Sequence, residues 1–304
     1  MNESKRDGDG LTRRNVLHAA GAAAALGSTA GSLHGRDAAP SAAAEKVSLE
    51  GHVFKAVKGG RQRGESALAF FQRLKGLGFD GVESGNAREQ DAYRQATAET
   101  GVRIHGLVNG AHWKLRLSHP DEAIRDKGRE ALENAIRNSH ALGGSSVLLV
   151  PGKVSGANEN HDHVWHRSIA EIRKVLPLAG HLGIRILIET VWNGFCEDPE
   201  KFRDYIDAID SPSVDAYFDI GNMQKFAPAH EWIRILGRRV VKLDVKDWGK
   251  KNGFCRLGEG DVDWDQVRVE LKKIGFSGWA TREGRDKSLE DTSKLIDQLL
   301  IGQG

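Results

Sequence analysis

From residue 52 to the C-terminus, short apolar runs alternate with longer stretches whose apolar residues recur every three or four positions. The runs predict strands at Val53–Val57, Gly81–Ser84, Arg103–Val108, Ser146–Val150, Arg185–Glu189, Ala216–Asp219, Val240–Val245 and Trp279–Glu283. Each is brief and mostly apolar, as expected of a parallel strand covered on both faces. The stretches between them predict helices. Ser66 can cap a helix carrying Leu68, Phe71, Leu74 and Leu77, stopped by Gly78. Pro120 opens a long helix through Ala123, Ala131, Ile136 and Leu142 to the stop at Gly143 and Gly144. His163–Leu182, Pro199–Ile209, Ala229–Leu236, Trp264–Ile274 and Leu289–Ile301 continue the series, and Glu89–Thr100 is its most polar member. Eight strand–helix repeats with right-handed crossovers close into an α/β fold, the (β/α)8 TIM barrel. An open doubly wound sheet fits less well, because no strand is followed by a Gly-rich phosphate fingerprint.

Residues 1–44 read differently. Thr12-Arg13-Arg14-Asn15-Val16-Leu17 resembles a twin-arginine export signal, and an Ala/Gly-rich run from Ala19 to Ala30 follows it. That run falls short of the ~20 residues a membrane-spanning helix needs, so no stable membrane anchor is expected. Ala42-Ala43-Ala44 suits cleavage before Glu45, which makes residues 1–44 a leader and 45–304 the barrel domain. Export to the periplasm in a folded state suits a protein that loads a metal first. The 304 residues are 39% hydrophobic and carry a formal net charge of +2, so the chain has no built-in attraction for a polyanion and no nucleic acid partner is expected. Cys196 and Cys255 both fall in expected loops at one barrel end. They could pair in an oxidising compartment or remain free thiols, and they are too few for a zinc site.

Chemistry in a (β/α)8 barrel sits at the C-terminal strand ends. The last strand residues here include Glu83, Glu189, Asp219, Asp244 and Glu283, with His105, Asn109, Asn222, Lys246 and Asp247 close by. Glu189, Asp219, Asp244 and Glu283 end four neighbouring strands. Four acidic groups converging without a counterion could not all ionise, and a hard divalent cation, Mn2+ or Mg2+, resolves the conflict. The competing expectation is ordinary ion pairing with Lys242, Lys246, Arg282 or Arg256.

Residues 52–301 resemble the sugar phosphate isomerase/epimerase family with the xylose isomerase-like barrel. The match is carried by Leu-Ile-Glu at 187–189, Phe-Asp-Ile-Gly-Asn at 218–222, Lys-Asp at 246–247, Leu-Gly-Glu-Gly-Asp-Val-Asp-Trp at 257–264 and Gly-Phe-Ser-Gly-Trp at 275–279 before Glu283. The resemblance implies metal ligands at Glu189, Asp219, Asp244 and Glu283, although the family's third ligand is a histidine and Asp244 stands in its place. It also implies that Glu189 and Glu283 act as acid and base on opposite faces of a small-molecule sugar, through a metal-held enediolate, giving isomerisation or epimerisation. Asn222 stands where epimerases of the family commonly place a histidine, and an amide cannot take up a proton. The resemblance leaves room for a homo-oligomer.

Further substrate contacts are expected from Glu83, whose other reading is a salt bridge to Arg103 or Lys55. His105 is a second candidate, its other reading a satisfied core histidine. His112 and Trp113 follow the third strand, where an aromatic face suits a sugar ring, and Trp192 and Asn193 fit the same description. Lys246 and Arg256 suit an acidic substrate or charge balance among the carboxylates, while Trp165 and Trp232 read as packing. The same metal site could serve a lyase or dehydratase acting on an oxidised sugar, and the departures at Asp244 and Asn222 also fit a non-catalytic periplasmic sugar binder. A zinc-dependent DNA-repair nuclease needs many histidines at the strand ends, where carboxylates stand here.

Overall fold

A computed structural model describes residues 47–84, 89–284 and 286–303. The expected leader and export signal lie outside the described residues.

Eight parallel strands close into a barrel: β1 (Val53–Lys58), β2 (Gly81–Ser84), β3 (Arg103–Val108), β4 (Ser146–Leu149), β5 (Arg185–Glu189), β6 (Val214–Asp219), β7 (Val240–Val245) and β10 (Gly278–Arg282). β1 pairs with both β2 and β10, which completes the ring. The two strands missing from that ring, β8 (Asp247–Gly249) and β9 (Gly253–Cys255), form an antiparallel hairpin directly after β7. Helices α1 (Ala67–Gly76), α2 (Gln90–Thr100), α3 (Glu122–Ala141), α4 (His161–Leu182), α5 (Pro199–Ile209), α6 (Ile220–Gln224), α7 (Ala229–Leu236), α8 (Trp264–Lys273) and α9 (Leu289–Leu295) follow in chain order. The chain continues past α9 as a widened π-helical turn, Ile296–Ile301.

The element boundaries differ from the sequence expectation in ways that matter for the site. β1 runs one residue further, to Lys58, and the last barrel strand stops at Arg282, which leaves Glu283 just past its end. Pro120 does not open α3: the Asp121 side chain accepts the Ala123 N–H and is the cap, with Pro120 one residue outside. The short helix α6 and the β8–β9 hairpin were not expected. α6 starts directly on Asp219, whose side chain accepts the Asn222 N–H at 2.8 Å. Gly221 makes this turn possible, because a Cβ there would lie 2.5 Å from Cβ of Lys246.

The main core lies between strands and helices, where Phe70, Phe71, Leu74, Ile136, Tyr205 and Trp232 are fully buried. Inside the barrel, Leu148, Leu187 and Tyr217 pack together beside a buried polar column. In that column Lys242 Nζ contacts His105 Nδ1 at 2.9 Å and donates to Ser146 Oγ at 2.7 Å, while Thr281 Oγ1 lies 3.1 Å from His105 Nε2. Tyr217 O–H lies 2.8 Å from the Thr281 hydroxyl and donates to Glu83 at 3.1 Å. No helix among the described residues is long and apolar enough to cross a membrane.

The loop between β4 and α4 is anchored by Glu159, which is buried and accepts from Arg116 (2.7 and 2.9 Å), Ser118 (2.5 Å) and Ser155 (2.7 Å). Burial alone pushes this carboxyl up, but those donors outweigh it and bring it down to about 2. A depressed carboxylate contributes stability that is complete above its unfolded value and is lost as pH falls through the folded one. Urea unfolding should therefore show wild type losing stability between about pH 5 and pH 2. Glu159→Gln should be less stable by ~2 kcal/mol at neutral pH and lose less on acidification. Equal acid dependence in the two proteins would contradict this.

Candidate active site

Asp219 and Asp244 stand opposite each other in the β6–β7 register, Glu189 ends β5, and Glu283 follows β10. The structure brings these four together: one oxygen from each lies within 4.8 Å of all the others. Hard cations bind oxygen at about 2.0–2.6 Å, so ligands on opposite sides of one ion lie up to about 5 Å apart. Asp219 and Asp244 are fully buried, Glu189 is nearly so, and the Glu283 side chain is 39% exposed.

Two lysines share these carboxylates. Lys246 Nζ lies 2.7 Å from Asp219 and 2.8 Å from Glu283. Lys58 forms a short ion pair with Asp244 Oδ2 and lies 3.2 Å from Glu283 and 3.6 Å from Glu83. The second oxygen of Asp244, Oδ1, is buried with no hydrogen-bond partner among the described residues. A buried, unpaired carboxylate oxygen is costly, so Asp244 has an oxygen in reserve that a cation held by the four carboxylates would satisfy. An all-oxygen donor set suits Mn2+ or Mg2+.

Burial is the first cause of each site pKa shift and the lysines are the second. Glu189 makes no ion pair among the described residues and is pushed up to about 7 by burial, with Lys58 opposing and Asp219 and Glu283 reinforcing the rise. Burial also raises Asp219 against the pull of Lys246, and raises Asp244 strongly against the pull of Lys58. At Glu283 burial is outweighed by Lys58 and Lys246, which hold its carboxyl below the ordinary range. The two glutamates are thus set apart electrostatically, one ready to hold a proton near neutral pH and one kept ionised.

The remaining sequence candidates divide. His112, Trp113, Trp192, Asn222 and Lys246 line a cavity of about 330 Å3 with Lys58, Glu189 and Glu283. His112 Nδ1 accepts the Val150 N–H at 3.1 Å, which leaves the ring proton on Nε2 with no hydrogen-bond acceptor among the described residues. Asn222 is held by its Nδ2 donating to the Thr190 carbonyl at 3.0 Å. Trp192 donates from Nε1 to the Asn222 carbonyl at 2.6 Å and is stacked on Phe254 at 4.8 Å, so it serves as wall. Asn193 turns inward, donating to the Gly152 carbonyl.

Two expected substrate contacts lie elsewhere, and a third, Arg256, lines an adjoining cavity that shares Asn222, Lys246, Phe254 and Glu283 with the Glu189 cavity. Glu83 is buried beneath the cluster against Lys58 and Tyr217, while Lys55 pairs with Asp297 instead. His105 belongs to the polar column and stacks on Trp279 at 4.6 Å, so it is a satisfied interior histidine. Arg256 does not balance the carboxylate cluster, because its guanidinium is engaged by Asp291 at 2.5 and 2.8 Å. Cys196 is buried, Cys255 is half-buried, and both thiols are free. Sequence reasoning missed Lys58 because it ended β1 one residue early. A lysine directly after the apolar pair Ala56-Val57 was the available signal.

The chain belongs to the family of xylose isomerase-like TIM barrels, whose profile matches residues 71–300. The L-ribulose-5-phosphate 3-epimerase UlaE of Escherichia coli is 26% identical over 250 residues, covering 77% of this chain and 87% of that one. Among solved structures, the apo 3-keto-D-glucoside 4-epimerase YcjR of E. coli superposes with a TM-score of 0.70 at 16% identity, covering 81% of this chain and 98% of that one. A D-psicose 3-epimerase determined in the presence of D-fructose gives 0.69 at 16% identity, covering 82% and 99%. These structural likenesses are likenesses of fold.

Proposed function

We propose that this protein is a divalent-metal-dependent isomerase or epimerase of keto-sugars. The observation that carries the proposal is the convergence of Glu189, Asp219, Asp244 and Glu283, with Asp244 Oδ1 buried and unpaired. The epimerase activity named for the E. coli relative supports it. Glu189, Asp219, Asp244 and Glu283 would hold one Mn2+ or Mg2+, which supplies the positive charge that acidifies a C–H beside a substrate carbonyl. Glu189, buried at the end of β5, is the group that takes that proton. Glu283, pinned by two lysines at the more open side, is the partner on the opposite sugar face. Transfer back to the same carbon from the other face epimerises, and transfer to the neighbouring carbon isomerises. His112 Nε2–H donates to a substrate hydroxyl, and the 46%-exposed ring of Trp113 offers an apolar face to the sugar.

The test is a screen of keto-sugars in D2O with the Mn2+-loaded protein, read by NMR. Deuterium at the carbon beside the carbonyl, together with a new epimer or isomer, is the expected result. An unsaturated product would replace this reading with a lyase, and no exchange on any sugar bound would leave a sugar-binding barrel.

We also propose export by the twin-arginine route to the periplasm. Replacing Arg13 and Arg14 by lysine should leave the protein in the cytoplasm on fractionation, and unchanged export would remove that reading.

A further inference from the structure

The polar column inside the barrel has a direction. Lys242 carries three ammonium N–H groups, and all three are taken: by His105 Nδ1 at 2.9 Å, the His105 carbonyl at 2.7 Å and Ser146 Oγ at 2.7 Å. His105 Nδ1 is therefore an acceptor. Burial, reinforced by Lys242, keeps this ring neutral, so its one N–H is on Nε2 and donates to Thr281 Oγ1 at 3.1 Å. The Thr281 hydroxyl proton is then directed to the Tyr217 oxygen at 2.8 Å, and the Tyr217 proton to Glu83 Oε2 at 3.1 Å. Four residues in series aim their donors at one carboxylate.

Glu83 is not one of the four converging carboxylates, and its side chain is wholly buried. Lys58 Nζ stands 3.6 Å from Glu83 Oε2. The same ammonium makes closer contacts, one with Asp244 Oδ2 and one with Glu283 Oε2 at 3.2 Å. Those two residues belong to the cluster. Among the described residues, Glu83 is the one ion-pair partner of Lys58 that does not. Its other oxygen, Oε1, is buried with no hydrogen-bond partner among the described residues. Glu83 can therefore take more of Lys58 than it holds, since an ordinary charged pair closes to about 2.7–2.9 Å. The ring of Tyr217 lies 5.1 Å from Lys58 Nζ and gives the ammonium a favourable face on that same side. A divalent cation among the four carboxylates would repel an ammonium that touches two of them. The displaced ammonium would still need an anion beside it, because a buried charge left alone is costly.

We infer that Glu83 is a positioning residue for the metal site: it draws the Lys58 ammonium away from Asp244 and Glu283 and so leaves those two carboxylates to the cation. Tyr217, Thr281, His105 and Lys242 hold Glu83 in place for that exchange. This rests on the metal reading above and deepens it, giving the site an internal counter-ion that acts through Lys58 without binding the cation itself.

Mn2+ affinity measured by calorimetry tests this in wild type, Glu83→Gln, Lys58→Met and the double variant, each first shown to be folded by circular dichroism. Glu83→Gln should bind Mn2+ about 10–100-fold more weakly, the usual effect of removing a group that orients metal ligands from outside. Lys58→Met removes the competing ammonium, so the double variant should bind within about twofold of Lys58→Met alone. Such rescue does not follow from a merely structural role of Glu83. Equal weakening by Glu83→Gln in both backgrounds would mean a charge acting through space alone, and overturns the inference. If Lys58→Met does not fold, Glu83→Asp decides, because it keeps the charge but withdraws it from Lys58 by one methylene. A loss close to that of Glu83→Gln supports the contact, and wild-type affinity overturns it. Wild-type affinity in Glu83→Gln also overturns it while leaving the metal site standing. No Mn2+ binding by wild type removes the metal site and this inference together.

Discussion

Glu189→Gln and Glu283→Gln should each lower conversion of a keto-sugar to its epimer by about 10²–10⁴-fold, the range that a positioned acid or base contributes. Both substitutions keep a carbonyl oxygen where the carboxylate oxygen was, so each variant retains a donor for the cation. Elemental analysis beside the rate measurement separates loss of metal from loss of the base. The two variants should also differ from each other. If one glutamate serves each face, Glu283→Gln should still let Glu189 exchange the proton of one epimer with D2O while failing to deliver it to the other face. Glu189→Gln should show the mirror behaviour with the opposite epimer. Such a split between exchange and conversion follows from two bases on two faces and from no structural role of either residue. Variants that lose exchange and conversion together on both epimers, with metal content intact, would contradict the assignment.

The division of labour in that prediction was only partly legible in the sequence. A carboxylate at the end of an apolar strand is conspicuous, and four in neighbouring strands are expected to converge because strand ends in a closed barrel do; one oxygen of each lies within 4.8 Å of the others. What one dimension could not supply was depth. Glu83 and His105 sit on strands that also point inward, yet they occupy levels below the cluster, where Tyr217 donates to one oxygen of Glu83 and Lys242 and Thr281 hold His105. A strand reports which face a residue takes and says little about its level inside a tilted barrel. Arg256 illustrates a second blind spot. Its partner Asp291 lies 35 positions away in α9, and no local pattern announces such a pair. Phe254 and the hairpin that carries it were hidden for a third reason: three-residue strands are too short to show a period.

Lys58 ties these points to the metal. It closes β1 one residue past the expected strand end, and it neutralises the buried Asp244. An aspartate adds a negative charge to a buried cluster, and a lysine from the next strand but one, reaching across β10, returns the balance. The ammonium engages Oδ2 and leaves Oδ1 open, which fixes Asp244 as a donor with one free oxygen. Lys58→Met should therefore destabilise the metal-free protein by about 3–5 kcal/mol, the usual cost of stripping one partner from a buried pair. Mn2+ should restore part of that loss, since binding to the folded state alone contributes about 2.7 kcal/mol at one hundred times the dissociation constant.

Asp244→Asn tests the other half of the pair. It should weaken Mn2+ binding at least about tenfold, measured by calorimetry, and remove most of the metal-induced rise in melting temperature, because a neutral amide replaces an anionic ligand. The pH dependence has a definite sign. Glu189 titrates near 7 in the metal-free fold, above its unfolded value, so the metal-free protein should lose stability as pH rises toward and through about 7. Protons compete with the cation for the same carboxylates, so stabilisation by Mn2+ should be largest above that pH and fade below it. The gap between metal-loaded and metal-free melting temperatures should accordingly widen from pH 5.5 to pH 8 in wild type and stay narrow in Asp244→Asn. A gap that is absent at both pH values in wild type would mean that Lys58 and Lys246 already complete the charge balance by themselves, and the cluster would then be a buried ion-pair network rather than a metal centre.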